Sequence, residues 1–311
     1  MTTPLLIHIG YHKTATTWMQ RQLFMPAHGY RQICGHREVF DHVVRPHGLR
    51  FDTAAMQQII TRGLATLCHG ETAVISSEIL SGHPFLGGHE SDVYAERLAR
   101  IAPRARILIS IRDQMRILPS VYMQYVLRGG TLPAARFFDG TDAIGYFGFE
   151  PDHFEYDLLV AQYQRLFGAD HVHVLTQESL KHDLAATMQR LADFAGNTAF
   201  QGLIPEALLP VGESYPEHAV PVLRRINHIQ RSTLNPWPIL SVGQTPKGLY
   251  KIAGYALKRP LVARLVGSGR PVSALVRQRF SGHYAASNAR LAALIPHPIN
   301  LSDYEGCGQP K

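Results

Sequence analysis

The run LLIHIGYHKTATTWMQ, beginning at Leu5, sets a short apolar stretch against a loop of glycine, histidine, lysine and small hydroxyl residues. Residues of these types can hold an anion. Lys13 carries a full positive charge, Thr14, Thr16 and Thr17 carry hydroxyls, and small side chains, Ala15 among them, let anionic oxygens approach the backbone. Where such a loop joins a buried strand to a helix, unpaired N–H groups and the helix dipole add to the attraction. The chemistry on offer is recognition of a phosphate or a group shaped like one. The order of residues is not that of an ATPase loop, in which GxxxxGK[ST] puts the lysine just before the helix with a hydroxyl beside it for magnesium. Here Lys13 follows Gly10 by three residues, and no GK[ST] occurs.

A second constellation lies in ILISIRDQMRILPSVYMQY, where Arg112 follows an apolar run and Ser120 comes eight residues later in a helical pattern. A guanidinium can grip two anionic oxygens at once while a hydroxyl takes a third. A third stretch, AVISSEILSG, places Glu78 just beyond an apolar run, where a carboxylate could take a proton from an attacking hydroxyl. His83 and His12 are the competing bases, and a helix-capping or arginine-paired glutamate is the structural alternative.

These residues need a scaffold that brings strand ends to one edge. Four apolar runs read as buried parallel strands: 5–9, 73–76, 105–111 and 171–175. Helix-period stretches fall between them, at 17–24, 53–67, 93–101, 115–127 and 156–167. A further helix follows the fourth strand and stops at Gly196. The alternation predicts an α/β fold with a parallel sheet flanked by helices, and ligands at the C-terminal strand ends. From 197 to 221 the chain reads as a surface connection. Basic helices are expected around 219–230 and 285–294, with an irregular middle punctuated by NPWPIL and GSGRP. The expectation is one domain, 1–311, in which 1–196 is the α/β core and 197–311 a helical and loop elaboration shaping the acceptor side.

YHKTATTW resembles the 5′-phosphosulfate loop of the sulfotransferases, and the Arg112–Ser120 pair resembles their 3′-phosphate motif. VHVLTQESL and YAASNARLAALIPHPINLSDY resemble the fourth strand and the closing helix and tail of the bacterial and carbohydrate-type branch. The resemblance implies a P-loop NTPase-like fold and a sulfuryl donor, 3′-phosphoadenosine 5′-phosphosulfate (PAPS), used without a metal. It assigns His12, Lys13, Thr14, Ala15, Thr16 and Thr17 to the 5′-phosphate and Arg112 and Ser120 to the 3′-phosphate. Lys13 and Glu78 become the catalytic pair, since carbohydrate sulfotransferases use a glutamate as base. Ala15 departs from the family, which usually has glycine there; alanine fits readily only with negative φ.

Composition bounds the partners. No window reaches the roughly 18 apolar residues of a membrane span, and no signal peptide is expected. The three cysteines, Cys34, Cys68 and Cys307, are scattered, so neither a disulfide framework nor a thiolate zinc site is expected, and a cytoplasmic setting is the simplest reading. Between His218 and Ser302 there is no Asp or Glu but twelve Lys and Arg, which leaves the rest of a chain of net charge +7 at −5. Such a region implies an anionic partner. GLYKIAGYALKRPLVARLVGSGRP mixes Lys and Arg with Tyr, Leu and Val, the composition of an interfacial surface. The expected acceptor is thus a glycan or glycolipid, with peripheral contact with an anionic membrane and no nucleic acid. Two other classes stay open at this point: a nucleotide kinase or GTPase-like enzyme, and a non-enzymatic binder of nucleic acid or anionic lipid.

Overall fold

The computed structural model describes residues 5–141, 143–209, 215–259 and 269–308. Its centre is a five-stranded sheet, β1 (Leu5–Gly10), β2 (Tyr30–Cys34), β3 (Thr72–Ser76), β4 (Arg106–Ile111) and β5 (Val172–Thr176), in the order β2-β3-β1-β4-β5. All pairings are parallel, and the register sets His8 opposite Ser76 and Gly10 opposite Ser110. β1 and β3 are buried throughout because helices cover both faces, which is why they read as largely apolar runs. The sequence reading omitted β2. This edge strand buries only its ends, Tyr30 and Cys34, and its polar middle hides the strand signal.

The helices are α1 (Thr16–Trp18), α2 (His36–Val39), α3 (Ala54–Leu64), α4 (Ser91–Ile101), α5 (Gln114–Leu127), α6 (Ala134–Phe138), α7 (Tyr156–Phe167), α8 (Gln177–His182) and α9 (Leu184–Ala195). Beyond them come α10 (Val220–Asn227), α11 (Leu249–Lys258), α12 (Pro271–Phe280) and α13 (Ala285–Leu294). Two details differ from expectation. The helix expected to run to Gly196 is broken at Asp183, whose carboxylate accepts from Ala186 N at 3.1 Å and caps α9. The stretch expected to be irregular holds α11 and α12; residues 260–268 of the interfacial run, and with them part of GSGRP, lie outside the described residues.

One face of the sheet packs Ile7, Ile9, Ile107 and Ile109 against α4, α5 and α7. The other packs Leu6, Val74 and Leu108 against Met19, Leu23 and α9. α12 and α13 lie on α5 and α7, and their Val276, Phe280 and Leu291 join the first core. This is the P-loop NTPase-like arrangement: a parallel sheet whose central strand, β1, runs into the anion-type loop.

Candidate active site

The chain leaves β1 at Gly10 and turns into α1 within six residues. Gly10 is required by space. A Cβ there would lie 2.3 Å from Thr16 Cγ2 and 2.7 Å from Ser110 Oγ. Lys13 and Ala15 both adopt left-handed backbone, φ +71° and +65°. The condition under which alanine would fit readily at position 15, negative φ, is therefore not met. Alanine occupies a conformation that suits glycine and costs an L-residue roughly 1–2 kcal/mol.

The loop is pinned from below by a buried hydrogen-bonded chain whose direction one carbonyl fixes. Tyr11 O can only accept, so Thr14 Oγ1 donates to it at 2.6 Å. Thr14 must then accept from Ser110 Oγ (2.7 Å), and Ser110 from His8 Nε2–H (3.0 Å). A neutral His8 has Nδ1 free to accept from Ser76 Oγ at 2.8 Å, and Ser76 accepts from Gln20 Nε2 at 3.2 Å. Burial in the sheet holds the His8 imidazole down to about 4 despite Glu78 nearby, which agrees with the neutral tautomer. The expectation that Thr14 offers its hydroxyl to a phosphate is corrected: the hydroxyl is spent inside the loop, and the residue is fully buried.

Above the loop lies a cavity of about 620 Å³. Lys13, Ala15, Thr16 and Thr17 line it from one side and Arg112 and Ser120 from the other, and His12 and Glu78 share the wall. Arg112 Nη1 donates to Ser120 Oγ at 3.1 Å and reaches Lys13 O at 3.5 Å, so the two motifs read separately in the sequence meet. Arg112 Nε is buried without a partner, as is His12 Nε2. Burial, then Arg112 and Arg128, lower the Lys13 ammonium, which Glu78 partly offsets. Burial lowers the Arg112 guanidinium as well. Three cations, Lys13, Arg112 and Arg128, thus share the cavity wall with one carboxylate, Glu78, a balance that suits an anion.

Glu78 sits one residue past Ser77 at the end of β3 and accepts from Gln20 Nε2 at 3.3 Å. Burial alone would raise its carboxyl, but its own backbone amide, His12, His36 and Gln20 outweigh this and leave it below the usual range. It is ionised at neutral pH. His12 is held down to about 4, chiefly by burial, and is neutral there. His83 lies behind His12, ring centroids 6.2 Å apart, and does not line the cavity.

Sequence reasoning missed Arg128, Gln124 and Trp18, which also line the cavity, and the positioning pair His8 and Gln20. A signal existed for two of them. Gln124 and Arg128 follow Ser120 by four and eight residues along α5 and its C-cap, one stripe of the helix. Among the described residues no group of three or more His, Cys, Asp or Glu converges at metal-binding distance. None of their helices is long and apolar enough to cross a membrane.

Fold and site together define an α/β protein with a cavity lined by Lys13, Arg112, Arg128 and Glu78 at the C-terminal edge of a parallel sheet. Residues 81–201, which include Arg112 and Ser120, match the model of the sulfotransferase family. Through that segment the chain is similar to the sulfotransferase family. Among solved structures it is similar to a sulfotransferase from Alicyclobacillus acidocaldarius, with 18% identity over 73% of this chain and 91% of the other, at a TM-score of 0.47. It is also similar to mouse sulfotransferase SULT7A1 complexed with PAP, with 11% identity over 93% of this chain and 88% of the other, at a TM-score of 0.35. A search of curated proteins gave no match.

Proposed function

We propose that the protein transfers a sulfuryl group from PAPS to a hydroxyl or amine of an acceptor, with a carbohydrate or glycolipid as the acceptor class. The observation that carries this reading is the convergence of Lys13, Arg112 and Ser120 on one cavity from motifs 99 residues apart. The residues here fit 3′,5′-phosphoadenosine, which PAPS leaves once its sulfuryl group has gone. Arg112 Nε is a buried donor in need of an acceptor, and left-handed turns of the kind made by Lys13 and Ala15 aim backbone N–H groups at an anion.

PAPS supplies an activated sulfuryl group on a phosphate leaving group; the protein positions it and neutralises charge. The backbone from Lys13 to Thr17 holds the 5′-phosphate, with Thr16 and Thr17 as hydroxyl donors. Thr14 contributes its amide only. Arg112 and Ser120 hold the 3′-phosphate. Lys13, partly desolvated, stabilises the charge that grows on the bridging oxygen as the leaving group departs. Glu78, across the cavity and already ionised, takes the acceptor proton. A second cavity of about 650 Å³ shares Lys13, Gln124, Leu127 and Pro246 with the first and gives an acceptor its approach.

The test is transfer from sulfur-labelled PAPS to a panel of sugars and glycolipids. Lys13→Ala is expected to reduce turnover by about 10²–10³, and Glu78→Gln by about 10²–10⁴. Full transfer by the lysine variant would remove the mechanism; full transfer by the glutamate variant would remove only the base.

A further inference from the structure

The second cavity is walled on its outer side by Lys247, Lys251, Tyr215 and Tyr255, and the elements around it present apolar side chains with nothing over them. α11 is apolar on both sides. Tyr250, Gly254 and Leu257 face the core, while Leu249, Ile252 and Tyr255 remain 44%, 68% and 55% exposed. Lys251 shares that outer side, and exposed apolar side chains beside a lysine are what an interfacial helix presents. The segment before it, 231–245, is a loop with a firm base: Arg231 N donates to Gly243 O at 3.0 Å, Thr245 N to Arg231 O at 2.9 Å, and Val242 N to Ile229 O at 2.8 Å. That base holds out Trp237 and Ile239, 85% and 99% exposed, with Leu240 beside them. Arg231 lies over the Trp237 ring.

Scattered exposed apolar residues are ordinary on a protein surface, but a fixed loop and the helix that follows it in the chain, both leaving theirs uncovered, mark an interaction surface. The partner's charge can be read from the same stretch, since no Asp or Glu occurs from His218 to Ser302. Trp and Tyr beside aliphatic side chains and lysines are what the boundary between headgroups and acyl chains favours. We propose that this surface docks on an anionic phospholipid bilayer, with Trp237 and Ile239 inserted and Arg231, Lys247 and Lys251 against the headgroups. The cavity leading to Lys13 then lies beside the membrane, so the acceptor is a membrane-borne lipid with a hydroxylated headgroup. The last step rests on the sulfotransferase reading; the docking does not.

The experiment uses the full chain and vesicles of phosphatidylcholine with and without 30% phosphatidylserine. The chain has two tryptophans, and the other, Trp18, is half-buried with its Nε1 donating to Ala207 O, so the part of a blue shift that Trp237→Ser abolishes reports Trp237. Sedimentation with the serine-containing vesicles at low salt is expected, weakened about tenfold or more at high salt, with the blue shift. Trp237→Ser with Ile239→Ser is expected to lower partitioning at least tenfold while leaving the melting temperature and its shift by 3′,5′-phosphoadenosine unchanged. Absence of sedimentation, unchanged partitioning by the double variant, or a lipid-free dimer that buries Trp237 would each overturn the docking. Retained 3′,5′-phosphoadenosine binding beside such a failure would sink the docking alone. Vesicle binding without sulfuryl transfer would sink the enzyme reading alone.

Discussion

His8 gives the sharpest test of the loop's foundation. Its imidazole is buried between β3 and β4, accepts from Ser76, donates to Ser110, and has no place for a second proton. Its pKa falls from 6.5 to about 4 because burial penalises the charged form. A group depressed on folding binds its proton more readily in the unfolded chain, so the unfolded state gains protons first as pH falls. The stability that neutral His8 allows is therefore complete above pH 6.5 and is lost between pH 6.5 and 4. The whole interval corresponds to about 3.4 kcal/mol, and at pH 5 about 2 kcal/mol of it is gone.

His8→Gln keeps a donor near Ser110 but cannot titrate. It is expected to lower stability at pH 7.5, and its urea-unfolding free energy between pH 7.5 and 5 should fall by about 2 kcal/mol less than that of the wild type. His12, His153 and His173, also held well below 6.5 by burial, contribute in both proteins and drop out of the difference. Because the chain ends on the carbonyl that closes the loop, the variant should also show a smaller thermal shift with 3′,5′-phosphoadenosine. If the two pH slopes were equal, His8 would be either protonated in the fold or unburied, and the directional chain through Ser110 and Thr14 would be wrong.

The other expectations are simpler. Ala15→Gly relieves a left-handed alanine, worth roughly 1–2 kcal/mol, against roughly 0.4–1 kcal/mol of added unfolded-state freedom; a slight rise in melting temperature and tighter 3′,5′-phosphoadenosine binding should follow. Arg112→Ala should weaken that binding by about 10–100-fold in calorimetry, the range of a hydrogen bond to a charged group, and Ser120→Ala by about fivefold. Gly10→Ala drives a Cβ into Thr16 and Ser110; a loss of about 1–3 kcal/mol in chemical unfolding is expected.

The central strands, the loop and the Arg112–Ser120 pair could be read from sequence because each rests on local pattern. Buried strands are almost continuously apolar, the loop follows one of them directly, and the pair sits at one strand-to-helix junction, Arg112 just after β4 and Ser120 in the second turn of α5. What escaped depends on partners distant in the chain. β2 is half polar because it forms the edge, and α11 starts from Gly248 with no capping side chain to announce it. His8 read as one more residue of an apolar run; only the register that seats it opposite Ser76, with Ser110 opposite Gly10, gives it partners 68 and 102 residues away.

Thr14 carries the same lesson into the chemistry. From sequence it is one of three equivalent hydroxyls after a lysine, yet the fold divides them. Thr14 faces inward and ties the loop to the sheet, while Thr16 and Thr17 line the cavity. The inward bond lets the outward ones work, because Lys13 and Ala15 hold left-handed backbone only while something fixes the turn beneath them. A loop without glycine at position 15 depends more on that tether than one with glycine would. Removing the Thr14 hydroxyl should therefore cost anion affinity, although this hydroxyl is turned away from the anion, and Ala15→Gly in the same chain should restore part of it. Calorimetry with 3′,5′-phosphoadenosine on Thr14→Val and on Thr14→Val with Ala15→Gly decides this: if the second substitution restored nothing, Thr14 would not act through the turn.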